Sequence, residues 1–261
     1  MPKYDAAAVA RLDRRYSTPE MVEQRRRFRD VVRARPGETG LDVGCGAGHL
    51  ACELAGDVAP GGHIFAIDRS PDSVDATKAR IARSGLEHVV ETRAGEATAL
   101  DFPGEMFDFV VATQVYCHVP DVEGATREAA RVLHKGGRLV VLDSDWDMCI
   151  WESADPGLAR RMLDARRARY AHPYLPRHMH RLLRAAGLTL SWAEVFPIIE
   201  TKYHPDAFGT EVLATTVEQA LEHGVPAADV AAWERDLRSR TADGEWFFCL
   251  NRFIFAAKKQ T

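Results

Sequence analysis

An α/β fold, a doubly wound parallel sheet with helices on both faces, is predicted by three observations in the 261-residue chain. From residue 40 onward, short β-branched or aromatic runs alternate with segments of helical periodicity, the pattern of β-α-β units. The run Leu41-Asp42-Val43 opens onto Gly44-Cys45-Gly46-Ala47-Gly48, a strand ending in a glycine-rich turn. The next apolar run, His63-Ile64-Phe65-Ala66-Ile67, closes on a carboxylate, Asp68. Ligands of such sheets bind beyond the carboxyl ends of the strands, and both motifs fall on that edge.

Taken in order, residues 6–35 read as helix, interrupted near Ser17-Thr18-Pro19, where Thr18 followed by Pro19 and Glu20 makes a helix start. The Arg25-Arg26-Arg27-Phe28-Arg29 run reads most simply as a solvated helix face, with anion or substrate contact as the alternative. Pro36-Gly37 then breaks the helix. The alternation that follows is strand 40–43, helix 49–55, strand 63–68, helix 71–84, strand 89–94, strand 107–112, helix 122–133 and strand 138–142. Beyond it come helical segments at 156–170 and 177–186, a strand at 188–195, helices at 207–223 and 227–239, and a last strand at 245–255. No internal repeat or low-complexity tract divides the chain, so a single domain is expected. Its parts are a helical cap (1–36), a ligand-binding core (37–145), a helical lid (146–187 and 200–243) and the last strand (244–261).

The glycines bring backbone close to a ligand, because glycine lacks the Cβ that blocks close approach or positive φ. The helix following from His49 turns its N-terminal N–H groups and positive dipole end to the same place. A dinucleotide fingerprint reads G-x-G-x-x-G, whereas here the spacing is Gly44-x-Gly46-x-Gly48, with Asp42 two positions ahead. An acid at the end of the second strand suits a ribose, since an ionised carboxylate accepts from both sugar hydroxyls. Asp68 has a simpler alternative as N-cap of the helix at 71, a role Ser70 fills equally well.

Composition is that of an ordinary globular chain, with 46% hydrophobic and 28% charged residues. A formal net charge of -4 gives no basic surplus for a polyanion, which disfavours nucleic acid as substrate. Cys45, Cys52, Cys117, Cys149 and Cys249 form no C-x-x-C pair and no metal-ligand spacing. No metal is therefore expected. Scattered thiols, the lack of an apolar leader and the lack of a membrane span lead us to expect a cytoplasmic protein.

As a set, Leu41–Leu50, Asp68, Gly95-Glu96-Ala97, Phe107-Asp108-Phe109-Val110-Val111 and Arg131–Gly137 resemble the motifs of class I S-adenosylmethionine-dependent methyltransferases. The similarity covers roughly residues 37–143 and is nearest to the small-molecule branch typified by the ubiquinone and menaquinone biosynthesis enzymes. It implies a Rossmann-like, seven-stranded sheet whose last strand is antiparallel, with S-adenosyl-L-methionine as cofactor. By the same resemblance Asp42, Gly44, Cys45, Gly46, Gly48, Asp68 and Arg69 surround the cofactor, and Gly95-Glu96-Ala97 occupies the adenine position. Glu96 stands where such families usually have aspartate, one methylene shorter. Thr113 and Gln114 are expected beside the methionine portion.

For the acceptor side, His118 is a candidate general base, having an ordinary pKa near neutrality, with a structural hydrogen bond as the alternative. The cluster Asp143-Ser144-Asp145-Trp146-Asp147 sits just past the fifth strand. Asp145 is a second catalytic candidate there. Carboxylates beside Trp146 suit a cationic amine or a metal-bound catechol-like oxygen, while capping and loop solvation explain them without any ligand. Tyr170, His172, Tyr174, His178 and His180 form an aromatic and imidazole-rich stretch that can border the pocket. The expected partner is a small-molecule acceptor in a neutral-to-acidic pocket, methylated on N, O or C. A nicotinamide or flavin oxidoreductase, a nucleic-acid or protein methyltransferase and a non-enzymatic binding module remain the alternatives. Oligomeric state is not written in these residues.

Overall fold

The computed structural model describes residues 5–260. Two helices, α1 (Ala6–Tyr16) and α2 (Pro19–Val32), precede the sheet. Asp5 caps α1 by accepting from the Ala8 N–H at 2.9 Å, and Pro19 opens α2. There follow β1 (Thr39–Val43), α3 (His49–Val58), β2 (His63–Asp68), α4 (Pro71–Ser84), β3 (Val90–Ala94) and β4 (Phe107–Thr113). Next come α5 (Val122–Val132), β5 (Leu133–Trp151), α6 (Pro156–Arg167), α7 (Met179–Ala185), β6 (Leu188–Glu200), α8 (Phe208–Glu222), α9 (Ala227–Ala242) and β7 (Phe248–Lys259).

The seven strands form one sheet in the order β3-β2-β1-β4-β5-β7-β6. β3, β2, β1, β4 and β5 are mutually parallel, and β7 runs antiparallel to both β5 and β6. Chain order reverses between β1 and β4, and a crevice opens at such a switch point outside the strand ends. Central strands are apolar on both faces because helices cover both. Along β4, Val110 and Ala112 join the core beneath α5, α6 and α7, while Phe109 and Val111 join the core beneath α2 and α3.

The largest departure from expectation is β5. It was expected to end at Leu142, yet it continues to Trp151, so the acidic cluster lies within a strand and not in a loop. Pairing with β7 runs from Arg138 to Ser144, shifts register, and resumes at Cys149. β6 and β7 are likewise longer or later than expected, ending at Glu200 and Lys259, because the three strands stay paired past Leu142 and bury Cys149, Trp151, Ile198, Phe248 and Leu250 in the core. No described helix is long and apolar enough to cross a membrane.

Candidate functional site

A cavity of about 430 Å³ lies at the switch point and is lined from both sides of it. The glycine loop and Asp42, Asp68, Arg69, Gly95, Glu96 and Ala97 line one part, and Thr113, Gln114, His118, Trp146 and Tyr170 line another. Gly48 is not on this wall, but it caps α3 at φ +77°.

The three loop glycines have different reasons. A Cβ on Gly44 would meet Val115 at 2.3 Å, and one on Gly48 would meet Thr77 at 2.8 Å, so both serve close packing. A Cβ on Gly46 would project into open space, within a loop that lines the cavity. That glycine leaves room for something brought close to the backbone. The loop does not, however, offer its amides freely. Gly44 and Cys45 donate to the Ile67 carbonyl at 2.7 and 3.0 Å, and Gly46 donates to Asp68 Oδ2 at 3.0 Å. The other Asp68 oxygen accepts from the Ser70 N–H at 2.9 Å, so the acid is held in place at the strand end. Ser70 itself caps α4 by accepting from Ser73. Burial raises the Asp68 pKa against these backbone donors. Behind the loop Asp42 is buried, and neither of its carboxylate oxygens has a hydrogen-bond partner among the described residues. Burial and the neighbouring Asp68 charge push its pKa up to about 7.

On the far side, Gln114 occupies the left-handed region at φ +57°, a conformation that costs energy in a residue with a side chain. Two hydrogen bonds hold it there: its N–H donates to the Leu142 carbonyl at 2.7 Å, and its Oε1 accepts from Ser144 at 2.9 Å. Its Nε2 is buried without a partner among the described residues. His118 packs its ring on Tyr170 at 4.9 Å, and its Nδ1 is similarly unpartnered. Burial, then the charges of Arg169, Arg69 and Arg166, lower its pKa to about 3. The imidazole is therefore neutral and less basic than its ordinary value.

Asp145 does not line the cavity. Its buried carboxylate receives Arg177 Nε at 2.6 Å and Arg177 Nη2 at 3.1 Å, while Asp147 receives Arg177 Nη2 at 2.9 Å. These acids clamp β5 to the segment before α7. Trp146 does reach the cavity, but its cation is the protein's own: the Arg166 guanidinium lies 4.3 Å over its ring and Tyr170 stacks on it at 4.8 Å. Six arginines line this cavity beside four acids, Asp42, Asp68, Glu96 and Asp121, so its basic side chains outnumber its acidic ones. No group of three or more histidine, cysteine or acidic residues among the described residues is arranged to hold a metal.

Residues that pattern reading missed come from outside the core. Arg25, taken as part of a solvated face, is buried, with Nε on Glu53 of α3 at 2.8 Å and Nη1 on the Tyr16 carbonyl at 2.5 Å. Arg15 and Tyr16 of α1, Arg166 of α6, Arg169 just after it, Phe208 of α8 and Arg252 of β7 complete the lining. Of the aromatic and imidazole stretch only Tyr170 contributes.

A seven-stranded sheet in this order, with a glycine turn after β1 and a held acid after β2, defines the class I methyltransferase architecture. Residues 41–141 match the model of the methyltransferase domain family. Nocamycin O-methyltransferase of Saccharothrix syringae is 39% identical over 114 residues, 44% of this chain and 40% of that protein. Demethylmenaquinone methyltransferase of Desulfitobacterium hafniense is 33% identical over 119 residues, 46% of this chain and 47% of that protein. The chain thus spans under half the length of these relatives. A SAM-dependent methyltransferase from Aquifex aeolicus shares the fold, with a TM-score of 0.57 and 18% identity over 96% of this chain and 99% of that one. The matched family segment ends at Leu139-Val140-Val141, before Trp146, Arg166 and Arg252 are reached.

Proposed function

We propose that the protein transfers a methyl group from S-adenosyl-L-methionine to an N, O or C nucleophile of a small-molecule metabolite by in-line displacement. The observation that carries this is the charge of the glycine loop. A loop that binds a pyrophosphate keeps its N–H groups free for the anion. Here Gly44, Cys45 and Gly46 spend theirs on Ile67 and Asp68, and the unpartnered carboxylate of Asp42 stands behind them. Such a loop suits a cationic ligand, which argues for a sulfonium with its α-ammonium and against a dinucleotide.

In this reading Asp68 accepts from the ribose hydroxyls, Gly95, Glu96 and Ala97 border the adenine, and Thr113 and Gln114 border the methionine portion. Asp42 compensates positive charge, and Gly46 leaves the approach open. The bound sulfonium supplies a methyl group already activated for transfer, so the chain's task is to orient the acceptor and exclude water. With its lowered pKa, His118 acts here as a neutral hydrogen-bonding group and not as a strong base. Residues 37–145 form the cofactor half, α1 and α2 cap it, and the helical segments after β5 and after β6 supply the lid over the acceptor.

Isothermal titration with S-adenosylhomocysteine and with NAD tests the proposal. Binding of the first and not of NAD is expected, with at least roughly 100-fold loss in Gly46→Val and Asp68→Ala, or about 2.7 kcal/mol each. Binding of NAD, or an affinity for S-adenosylhomocysteine unchanged by both substitutions, would remove it.

A further inference from the structure

Four guanidinium groups line one cavity, with Arg15 close enough to Arg166 and Arg252 for their charges to repel, and they come from unrelated places in the chain. Arg15 belongs to α1, Arg166 to α6, Arg169 to the turn after it, and Arg252 to β7. Arg166 and Arg252 are 1% and 2% exposed, and neither forms an ion pair with any described carboxylate, nor does Arg169. Arg15 reaches only Glu211, at 3.8 Å. What these groups have instead is neutral. Arg166 Nη1 donates to Thr215 Oγ1 at 2.8 Å, Thr216 Oγ1 at 3.1 Å and the Val212 carbonyl at 3.2 Å. Arg252 Nη1 donates to Gln24 Oε1 and contacts the Met21 sulfur, and its guanidinium lies 4.7 Å over the Phe208 ring. In all four the Nε is buried and has no partner among the described residues.

This charge is only partly compensated. Two carboxylates contribute nearby, Glu211 and the buried Asp143, whose charge acts on Arg252 without reaching it. Burying a guanidinium without a counter-charge costs several kcal/mol, and the cost here is visible in the Arg15 and Arg252 pKa values, both lowered chiefly by burial. Fixed, buried donors with spare N–H groups are what an oxyanion needs for charge-assisted hydrogen bonds. The surrounding surface is aromatic: Trp146 and Tyr170 stack together on one wall and Phe208 stands on another.

We propose that the four guanidinium groups form an anion subsite. Arg15, Arg166, Arg169 and Arg252 take a carboxylate or phosphate carried by the methyl acceptor, whose apolar body lies against Trp146, Tyr170 and Phe208. The inference rests on the reading that the glycine-loop end takes S-adenosylmethionine. It names the acceptor as an organic anion, the reverse of the amine suggested by the acidic cluster. The cofactor carries a carboxylate of its own, but four guanidinium groups exceed what one such group needs, and Arg25, fixed to α3 beside the glycine loop, stands nearer its expected place.

The test is titration of the 261-residue chain, saturated with S-adenosylhomocysteine, with benzoate, phenyl phosphate, benzamide and benzylamine. At least one of the two anions should bind roughly tenfold or more tightly than benzamide, and benzylamine should bind weakest. Arg166→Gln and Arg252→Gln should each weaken the anion about tenfold or more while leaving S-adenosylhomocysteine affinity within about threefold. If either variant fails to fold, the ranking of the four probes on the unaltered protein decides. Equal affinities, or benzylamine binding tightest, on protein that holds S-adenosylhomocysteine overturns the anion subsite and spares the cofactor reading. Anion binding that S-adenosylhomocysteine abolishes assigns these arginines to the cofactor's carboxylate, which also overturns it. No affinity for S-adenosylhomocysteine at all overturns both.

Discussion

At Asp42 a carboxylate sits where it is ionised only at a cost. It is 1% exposed, lacks hydrogen-bond partners among the described residues, and titrates near about 7 because of burial and the Asp68 charge, against 3.8 for an ordinary aspartate. Between these two values the unfolded chain releases its proton first. Stability from this group is therefore fully present below about pH 4, falls as pH rises, and is gone once pH passes the folded value. An amide of the same shape carries no charge and avoids that loss. Asp42→Asn should raise the ligand-free melting temperature at pH 8, by at most roughly 4 kcal/mol of stability, and by progressively less toward pH 5. Thermal denaturation at the two pH values checks this, and an equal shift at both would place the cause outside Asp42. On the proposed reading, neutralising the same residue should then weaken cofactor binding, because the carboxylate behind the loop is lost. Stability and binding pull against each other here, as at other sites that store strain for function.

The extension of β5 shows how an element can hide from its own sequence. Asp143, Asp145 and Asp147 alternate with Ser144 and Trp146, and three acids in five residues read as a solvated loop or a cap. What keeps them in a strand is supplied from elsewhere: Arg177 from 32 residues onward for Asp145, and the Cys117 N–H at 3.2 Å for Asp143. Pattern reading weighs neighbours in sequence and has no view of such partners. By contrast β1, β2 and β4 were legible, since their apolar runs are covered on both faces and bounded by glycine or by helix starts. The clamp also makes a prediction. Asp145→Ala leaves the Arg177 charge half exposed and removes a buried ion pair, which should cost about 2–3 kcal/mol after allowance for the exposed partner. Methyl transfer per folded molecule should change little. Denaturant unfolding together with turnover measures both, and a large loss of turnover with unaltered stability would return Asp145 to the catalytic candidates.

Across the whole molecule, the two halves of the cavity that the proposed function assigns to cofactor and acceptor differ in how they are encoded. The cofactor half is contiguous: a glycine loop, an acid some twenty residues later and the end of β4, each within a recognisable motif. The acceptor half is assembled from α1, α6, α8 and β7, where single arginines such as Arg15 and Arg252 look like any surface charge until the fold brings them inside. A charge run even misdirects, for Arg25 is buried while Arg26, one residue on, pairs with Glu23 and Asp30 in solvent. The N-terminal helices nevertheless belong to the cofactor side mechanically. Arg25 joins α2 to Glu53 of α3, and Asp13 of α1 joins both His49, at 2.7 Å, and Arg80 of α4. A ligand that orders the glycine loop should therefore order α1 and α2 through these pairs. With S-adenosylhomocysteine, amide exchange should slow by about tenfold or more at residues 44–50 and 113–118, and measurably at residues 12–25. The outer strand β6, whose residues 192–199 lie on the far edge of the sheet, should be unaffected. Hydrogen exchange read by mass spectrometry resolves these segments. Protection confined to the glycine loop would mean that the ion pairs of Asp13 and Arg25 merely fasten the helices in place, and protection spread evenly to β6 would indicate global stabilisation without coupling through α1 and α2.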